Sequence, residues 1–291
     1  MNRKARRDNI SRRQVIKAGL GAAGLYCVIP SGIRAAETQE AKRKIPVGLQ
    51  LYSVRKDCEK DPSGVIAAVA KMGYKGVEFA GYYERKAEDL RKMLDDNGLV
   101  CCGTHTQFDT LVPEKLEKTI EFNKVLGNKN IIVPWLDPKT HATKDAWLKT
   151  AKEFNELAEK VKPQGMKVGY HNHKMDFTPV EGEAPWDILF GNTSKDVIMQ
   201  IDTGNAMDGG ADPVAYLKKY PGRAITIHLK EFSKTNKNAL IGEGDVNWKE
   251  VLSLCETTGG TEWYIIEEEK EGLPPLTAVE ISLKNFNKLR G

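Results

Sequence analysis

Eight short apolar runs recur about every thirty residues along nearly the whole chain, and each ends in polar side chains. They read IPVGLQLY (45–52), GVEFAG (76–81), VCCGTH (100–105), NIIVPW (130–135), KVGYHNH (167–173), VIMQIDTG (197–204), AITIHLKEF (224–232) and WYIIEEE (263–269). A stretch of helical period follows each run, so the repeating unit is strand then helix. Asp61-Pro62-Ser63 opens the first helix and Gly73 closes it, the usual start and stop signals. Eight such units close most simply as a single (β/α)8 TIM barrel, whose chemistry sits where the strands end. No linker rich in Pro, Gly or Ser divides the chain, and about 250 residues is the usual size of one such barrel.

The barrel is expected over residues 37–291. Residues 1–36 have a different character: a basic start, SRRQVIK (11–17), a Gly- and Ala-rich apolar run to Ile29, then Ala35 and Ala36. They resemble a twin-arginine export signal with Arg12 and Arg13 as the pair. The apolar run is too short to span a bilayer, which takes about twenty residues. The expected destination is the periplasm, with the twin-arginine translocase as a transient partner. This leader holds eight basic residues and one acid, so the whole-chain charge of +4 falls to −3 for residues 37–291. A mildly acidic body lacks the basic face that nucleic-acid binding needs. Cys58, Cys101, Cys102 and Cys255 have neither CxxC nor disulfide-framework spacing and read as small buried hydrophobes.

Polar residues concentrate on the later strands. In YHNH, His171 and His173 share one strand face, because side chains alternate with period two. Asp202 ends the sixth strand, His228 lies in the seventh and Glu267 in the eighth. At equivalent heights in a closed barrel, His171, Asp202, His228 and Glu267 converge. Imidazole and carboxylate without thiolate suit one divalent ion, with Mn²⁺ first and Zn²⁺, Co²⁺, Fe²⁺ or Mg²⁺ as alternatives. Glu268 should point away from the barrel interior, and Glu269 inward again, higher on the rim. His141, in a Thr- and Lys-rich loop, reads as solvated.

VGLQLYSVR, GYKGVEFAG, YHNHKMDF, DTGNAMDGGADP, IHLKEF, IGEGDVNW and WYIIEEE resemble the xylose isomerase-like TIM barrel family of sugar phosphate isomerases and epimerases, over residues 45–289. The resemblance implies one divalent metal held by a Glu, Asp, His, Glu quartet from strands five to eight. Asp202, His228 and Glu267 match its last three positions. The first differs: where the epimerases carry Glu, this chain has YHNH, and His171 is the candidate. Epimerases of the family exchange a proton between two Glu on opposite faces of the reacting carbon, so replacing one by imidazole departs from that mechanism. YHNH also resembles inosose dehydratases and keto-sugar lyases, which keeps β-elimination open as the alternative to isomerisation or epimerisation.

These outcomes share a first step, loss of a proton beside a carbonyl with the enediolate stabilised by the metal. Glu267 and His173 are the candidate acid and base, and Lys230 can place positive charge at a substrate oxygen. Glu78, His105 and Trp135 end the second, third and fourth strands and are candidates to contact a sugar, Trp135 through its ring face. Glu243, in the GEGD loop, resembles a family loop that closes on the site. The expected substrate is a small carbohydrate, unphosphorylated because the enzyme is exported, and homo-oligomerisation is open. Two rivals belong to other classes. An endonuclease IV-like nuclease needs more ligands and a basic face, and a noncatalytic sugar-binding barrel has no use for the metal set.

Overall fold

The computed structural model describes residues 44–291. The proposed export signal at 1–36 lies outside them. Eight parallel strands form one sheet: β1 (Val47–Gln50), β2 (Gly76–Phe79), β3 (Val100–His105), β4 (Asn130–Val133), β5 (Lys167–His171), β6 (Ile198–Gln200), β7 (Thr226–Leu229) and β8 (Trp263–Ile266). The neighbours run β6-β5-β4-β3-β2-β1-β8-β7, so β1 pairs with β8. The remaining seam, between β6 and β7, is stitched by a parallel bridge between Asp202 and His228 and by His228 N–H donating to the Ile201 carbonyl at 2.9 Å. The sheet is thus a (β/α)8 TIM barrel, and its last stitch is made by two of the residues that the sequence marks for chemistry.

Nearly every strand residue is buried, because helices cover the outside of a parallel barrel while side chains fill its inside. Close packing explains the strand glycines. A Cβ on Gly169 would stand 2.6 Å from both the Cβ and the carbonyl oxygen of Ile198 on the next strand, and one on Gly103 would collide with the Glu78 carboxylate. The first long helix, Pro62–Met72, begins where Asp61 accepts from Gly64 N–H and ends at Gly73, whose φ of 106° suits a residue without Cβ.

Three short elements escape the sequence pattern, and all follow the C-terminal ends of strands. Leu51–Val54 is a 3-10 turn and Arg55–Lys60 a helix, immediately after β1. Thr203–Asp208 is a helix that starts directly after β6, with Asp202 as its cap. The four described cysteines are free and buried. Glu268 points outward from the barrel, where its carboxylate accepts from Ser282 of the helix Pro275–Arg290 at 3.0 Å. His141 is half-buried rather than solvated: one ring nitrogen lies 3.0 Å from the Asp137 carbonyl and the other 3.0 Å from Thr150 Oγ1.

Candidate active site

Asp202 performs two tasks at once. Its Oδ1 accepts from Asn205 N–H at 2.7 Å, capping the short helix that follows β6. Its Oδ2 is buried and has no hydrogen-bond partner. The cap therefore fixes the carboxylate plane and leaves one oxygen aimed into the barrel. Asn172 supports the same turn, its Oδ1 accepting from Asp202 N–H at 2.7 Å.

His228, wholly buried, lies between two carboxylates: Nε2 is 2.6 Å from Glu78 Oε2, and Nδ1 is 2.6 Å from Glu267 Oε2. Burial alone would lower its pKa, but the two acids overcome this and raise it to about 10. Burial would likewise raise Glu267, yet Lys230 and His228 hold it well below the ordinary carboxylate range. Lys230 Nζ sits 3.3 Å from Glu267 Oε1 and 2.6 Å from Glu269 Oε2. Glu269 does return to the inside at the rim.

His171 is buried, and its Nδ1 has no partner. Its ring centroid is 4.5 Å from that of His228 and 5.2 Å from that of His173. Burial, reinforced by the neighbouring imidazoles, holds His171 well below the ordinary histidine pKa, and burial also lowers His173. Asp202 is raised to about 6 by burial, against the pull of Lys230.

His171, Asp202, His228 and Glu267 each offer a ligand atom, all within 4.8 Å of one another. His171 Nδ1 and Asp202 Oδ2 are buried without hydrogen-bond partners, a costly state that a cation would relieve. The donor set of two imidazoles and two carboxylates suits a divalent transition ion. Glu78 behind His228 adds the outer partner that usually orients a metal-binding histidine. The residues fit a metal. A second group, His105, His171 and His228, also converges within the same limit.

Above this cluster opens a cavity of about 430 Å³ lined by Tyr52, Ala80, His105, Gln107, Pro134, Trp135, His171, His173, Glu267 and Glu269. Trp135 and His105 stand on its wall, and Trp135 is 42% exposed, leaving a ring face available for stacking. His173 stands there too, outside the four-residue cluster. Its backbone N–H is tied to Asp176 Oδ2 at 2.7 Å.

Two residues expected to contact a sugar lie elsewhere. Glu78 is fully buried beneath the site, with Gln50, Gln200 and His228 donating to it. Side chains of β2 that point inward at this height meet the barrel floor rather than the cavity. Glu243 is exposed and faces away: its carboxylate accepts from Leu240 N–H at 3.0 Å and meets Asn285 of the last helix. The acid that organises this loop is Glu231. Buried, it accepts from Phe232, Gly242 and Val246 N–H and from the Trp248 indole. Gln50 and Gln200, both buried, belong to the network around Glu78, and a glutamine inside an apolar strand run is itself a signal of an inward-facing polar group.

The profile of the Xylose isomerase-like TIM barrel family matches residues 66–289. An inosose dehydratase of Clostridium botulinum (strain Alaska E43 / Type E3) is 26% identical over 244 residues, 71% of this chain and 81% of that protein. Among solved structures, a sugar phosphate isomerase/epimerase from Parabacteroides distasonis ATCC 8503 superposes with a TM-score of 0.72 at 25% identity, covering 84% of this chain and 98% of that one. The IolI protein with a bound zinc atom has a TM-score of 0.66 at 14% identity, covers 84% of this chain and 98% of its own, and shares the fold.

Proposed function

We propose, from the premise that this chain belongs to the xylose isomerase-like TIM barrel family, that it is a divalent-metal-dependent lyase acting on a keto-sugar, keto-glycoside or keto-cyclitol. It would take a proton from the carbon beside the carbonyl and expel the oxygen substituent one carbon further on. The observation that carries this reading is the asymmetry of the site. A carboxylate, Glu267, stands on the β8 side and imidazoles, His171 and His173, on the β5 side. The epimerases this chain resembles exchange the proton between two carboxylates on opposite faces of one carbon, whereas elimination can be completed by one neutral imidazole that takes the proton and returns it to the leaving oxygen. The inosose dehydratase relatives support the same choice.

In this reading His171, Asp202, His228 and Glu267 hold the ion. A bound divalent ion supplies the positive charge that stabilises the enediolate. The chain's own groups do the rest. His173, kept neutral by burial, accepts the proton and passes it to the departing oxygen, so that water or an alcohol leaves and a carbon–carbon double bond forms. Lys230 keeps Glu267 ionised and oriented, and Glu267 acts beside the metal as the second proton-exchanging group. His105 and Trp135 contact the ring. The matching sugar phosphate isomerase/epimerase fold supports a second reading, in which the proton returns to carbon and the product is an isomer or epimer.

Residues 1–36 are proposed to export the protein by the twin-arginine route to the periplasm, where an unphosphorylated substrate is to be expected. The deciding experiment incubates purified, metal-loaded protein with an inosose and with 3-keto-glycosides in D₂O. Exchange at the carbon beside the carbonyl together with release of water or alcohol supports the lyase. Exchange with an isomeric product supports the second reading, and no exchange with any keto substrate rejects both.

A further inference from the structure

Glu268 is a buried acid that the proposed chemistry does not use. It is 2% exposed, its Oε2 accepts from Ser282 Oγ–H at 3.0 Å, and its N–H donates to Ser53 Oγ at 2.9 Å. Backbone and side chain are thus both held. Its Oε1, in contrast, is buried without a hydrogen-bond partner, a costly state for a polar atom. Glu268 lines a recess of about 130 Å³ between the ends of β8 and β1, whose other polar walls are Ser53, Arg55, Lys56, Glu269 and Lys270.

Glu269 is the wall between this recess and the 430 Å³ cavity, lining both. Its Oε2 meets Lys230 Nζ at 2.6 Å, and its Oε1 lies 3.7 Å from Arg55 Nη1. Arg55 in turn donates from Nη1 to the Tyr52 carbonyl at 2.6 Å and places its guanidinium 3.9 Å from the Tyr52 ring centroid. Tyr52 is exposed on the cavity wall. The series Lys230–Glu269–Arg55–Tyr52 therefore forms an unbroken lip from the metal cluster to the recess. The charges on this lip select what the recess can hold. Three cations oppose a metal ion, and two carboxyl groups oppose an anion. A neutral polyol meets both sets, because its hydroxyls accept from Arg55 and Lys56 and pair with Glu268 Oε1 whether that carboxyl is ionised or protonated.

We infer that the recess is a second subsite, which seats one edge of a sugar joined to the reacting ring by a glycosidic bond. The substrate is then a keto-disaccharide rather than a free keto-cyclitol. The reaction rests on the lyase reading; the subsite rests on the recess. The proton leaves the carbon beside the ketone, the glycosidic carbon–oxygen bond one carbon further on breaks, and a carbon–carbon double bond forms in the reacting ring. The second sugar departs as an alcohol carrying that proton, so no other reactant is consumed.

The test compares kcat/KM of the purified, metal-loaded full chain for methyl 3-keto-glucosides and for α- and β-linked 3-keto-disaccharides of glucose. At least one disaccharide should be preferred by about tenfold or more, the value of one hydrogen bond to a charged group. Lys56→Met, a substitution at an exposed position, and Glu268→Leu should each remove most of that preference through KM, leaving the methyl glycosides within about twofold of wild type. If Glu268→Leu does not fold, Lys56→Met alone decides. Equal kcat/KM for the two substrate types in wild type, or variants that weaken both types alike, overturns the inference. Competition by inorganic phosphate that disappears in Lys56→Met overturns it too, in favour of an anion site. Should no keto substrate react, calorimetry with the unoxidised disaccharides and methyl glucosides reads the subsite directly. A disaccharide preference lost in Lys56→Met keeps the subsite while the lyase reading falls, and no preference overturns the subsite as well.

Discussion

His228 Nε2 meets Glu78 Oε2 at 2.6 Å while its Nδ1 meets Glu267 Oε2 at the same 2.6 Å. The ring is therefore held from behind by an acid that never reaches the cavity and offered in front to one that does. This arrangement explains why a buried carboxylate is tolerated on β2. Its charge is met by an imidazole and by the amides of Gln50 and Gln200, which offset desolvation that would otherwise be prohibitive.

Glu78→Gln tests the rear support. The variant should fold with a moderate loss of stability, because an amide N–H₂ now faces other donors. Its metal affinity, measured by competition with a chelator, should fall by roughly 10–100-fold, the usual effect of removing an outer partner of a metal-binding histidine. Affinity unchanged from wild type would show that Glu78 serves packing alone.

Removing two proposed ligands should empty the site. Purified wild type is expected to carry about one divalent ion per chain, and Asp202→Ala plus His228→Ala to carry none by elemental analysis. Unchanged metal content in the double variant places the ion elsewhere. Asp202 also caps the helix Thr203–Asp208, so a stability loss of about 1 kcal/mol is expected alongside.

Glu267→Gln retains an oxygen that can bind the ion and removes the group that can exchange a proton. Metal content should stay within about twofold of wild type while turnover falls by about 10²–10⁴, the usual contribution of acid–base catalysis. A variant with both metal and turnover near wild type excludes Glu267 from proton transfer.

The barrel was legible because eight apolar runs with helical intervals have few other ways to close, and the four converging residues because they end consecutive strands. Glu78 and Glu243 show where that logic stops. Period-two alternation tells that Glu78 points inward, but not how deep in the barrel its carboxylate comes to rest. That depth depends on strand stagger, including the register shift between Val77 and Glu78 against β3. Glu243 sits in a loop whose direction is set by Glu231 and its three backbone N–H partners, a long-range network with no local pattern. Gln50 and Gln200 are of the same kind. Each is a polar residue in an apolar run, meaningful only once its partner on another strand is known.

Asp176 gives the fold a pH dependence that can be isolated. Burial raises its carboxyl from 3.8 to about 7, against the hydrogen bonds from His173 N–H and Tyr170 Oη–H. A raised folded-state value means that the folded protein binds the proton more tightly than the unfolded chain. The resulting stabilisation is complete below pH 3.8 and is lost as pH rises to about 7. Asp176→Asn carries a fixed penalty for the hydrogen bond it cannot accept, but no such drift. Between pH 5 and pH 8 the wild type should therefore lose stability relative to Asp176→Asn, by on the order of a few kcal/mol at most. Denaturant midpoints that run parallel across this range would sink the idea.

The last prediction concerns where the metal is acquired. Twin-arginine export carries proteins already folded, so a barrel with a buried site of nitrogen and oxygen ligands would load its ion in the cytoplasm and cross with it. The conservative double variant Arg12→Lys plus Arg13→Lys leaves the charge of the leader unchanged and alters only the geometry of the pair. It should accumulate in the cytoplasmic fraction, folded and metal-loaded, whereas the wild type appears in the periplasm. The substrate follows from the destination. Phosphorylated sugars should be scarce outside the cytoplasm, so purified wild type should turn over neutral keto-sugars faster than their phosphates. Fractionation that finds the double variant exported like wild type removes the twin-arginine reading, and a clear preference for sugar phosphates removes the substrate inference even if export is upheld.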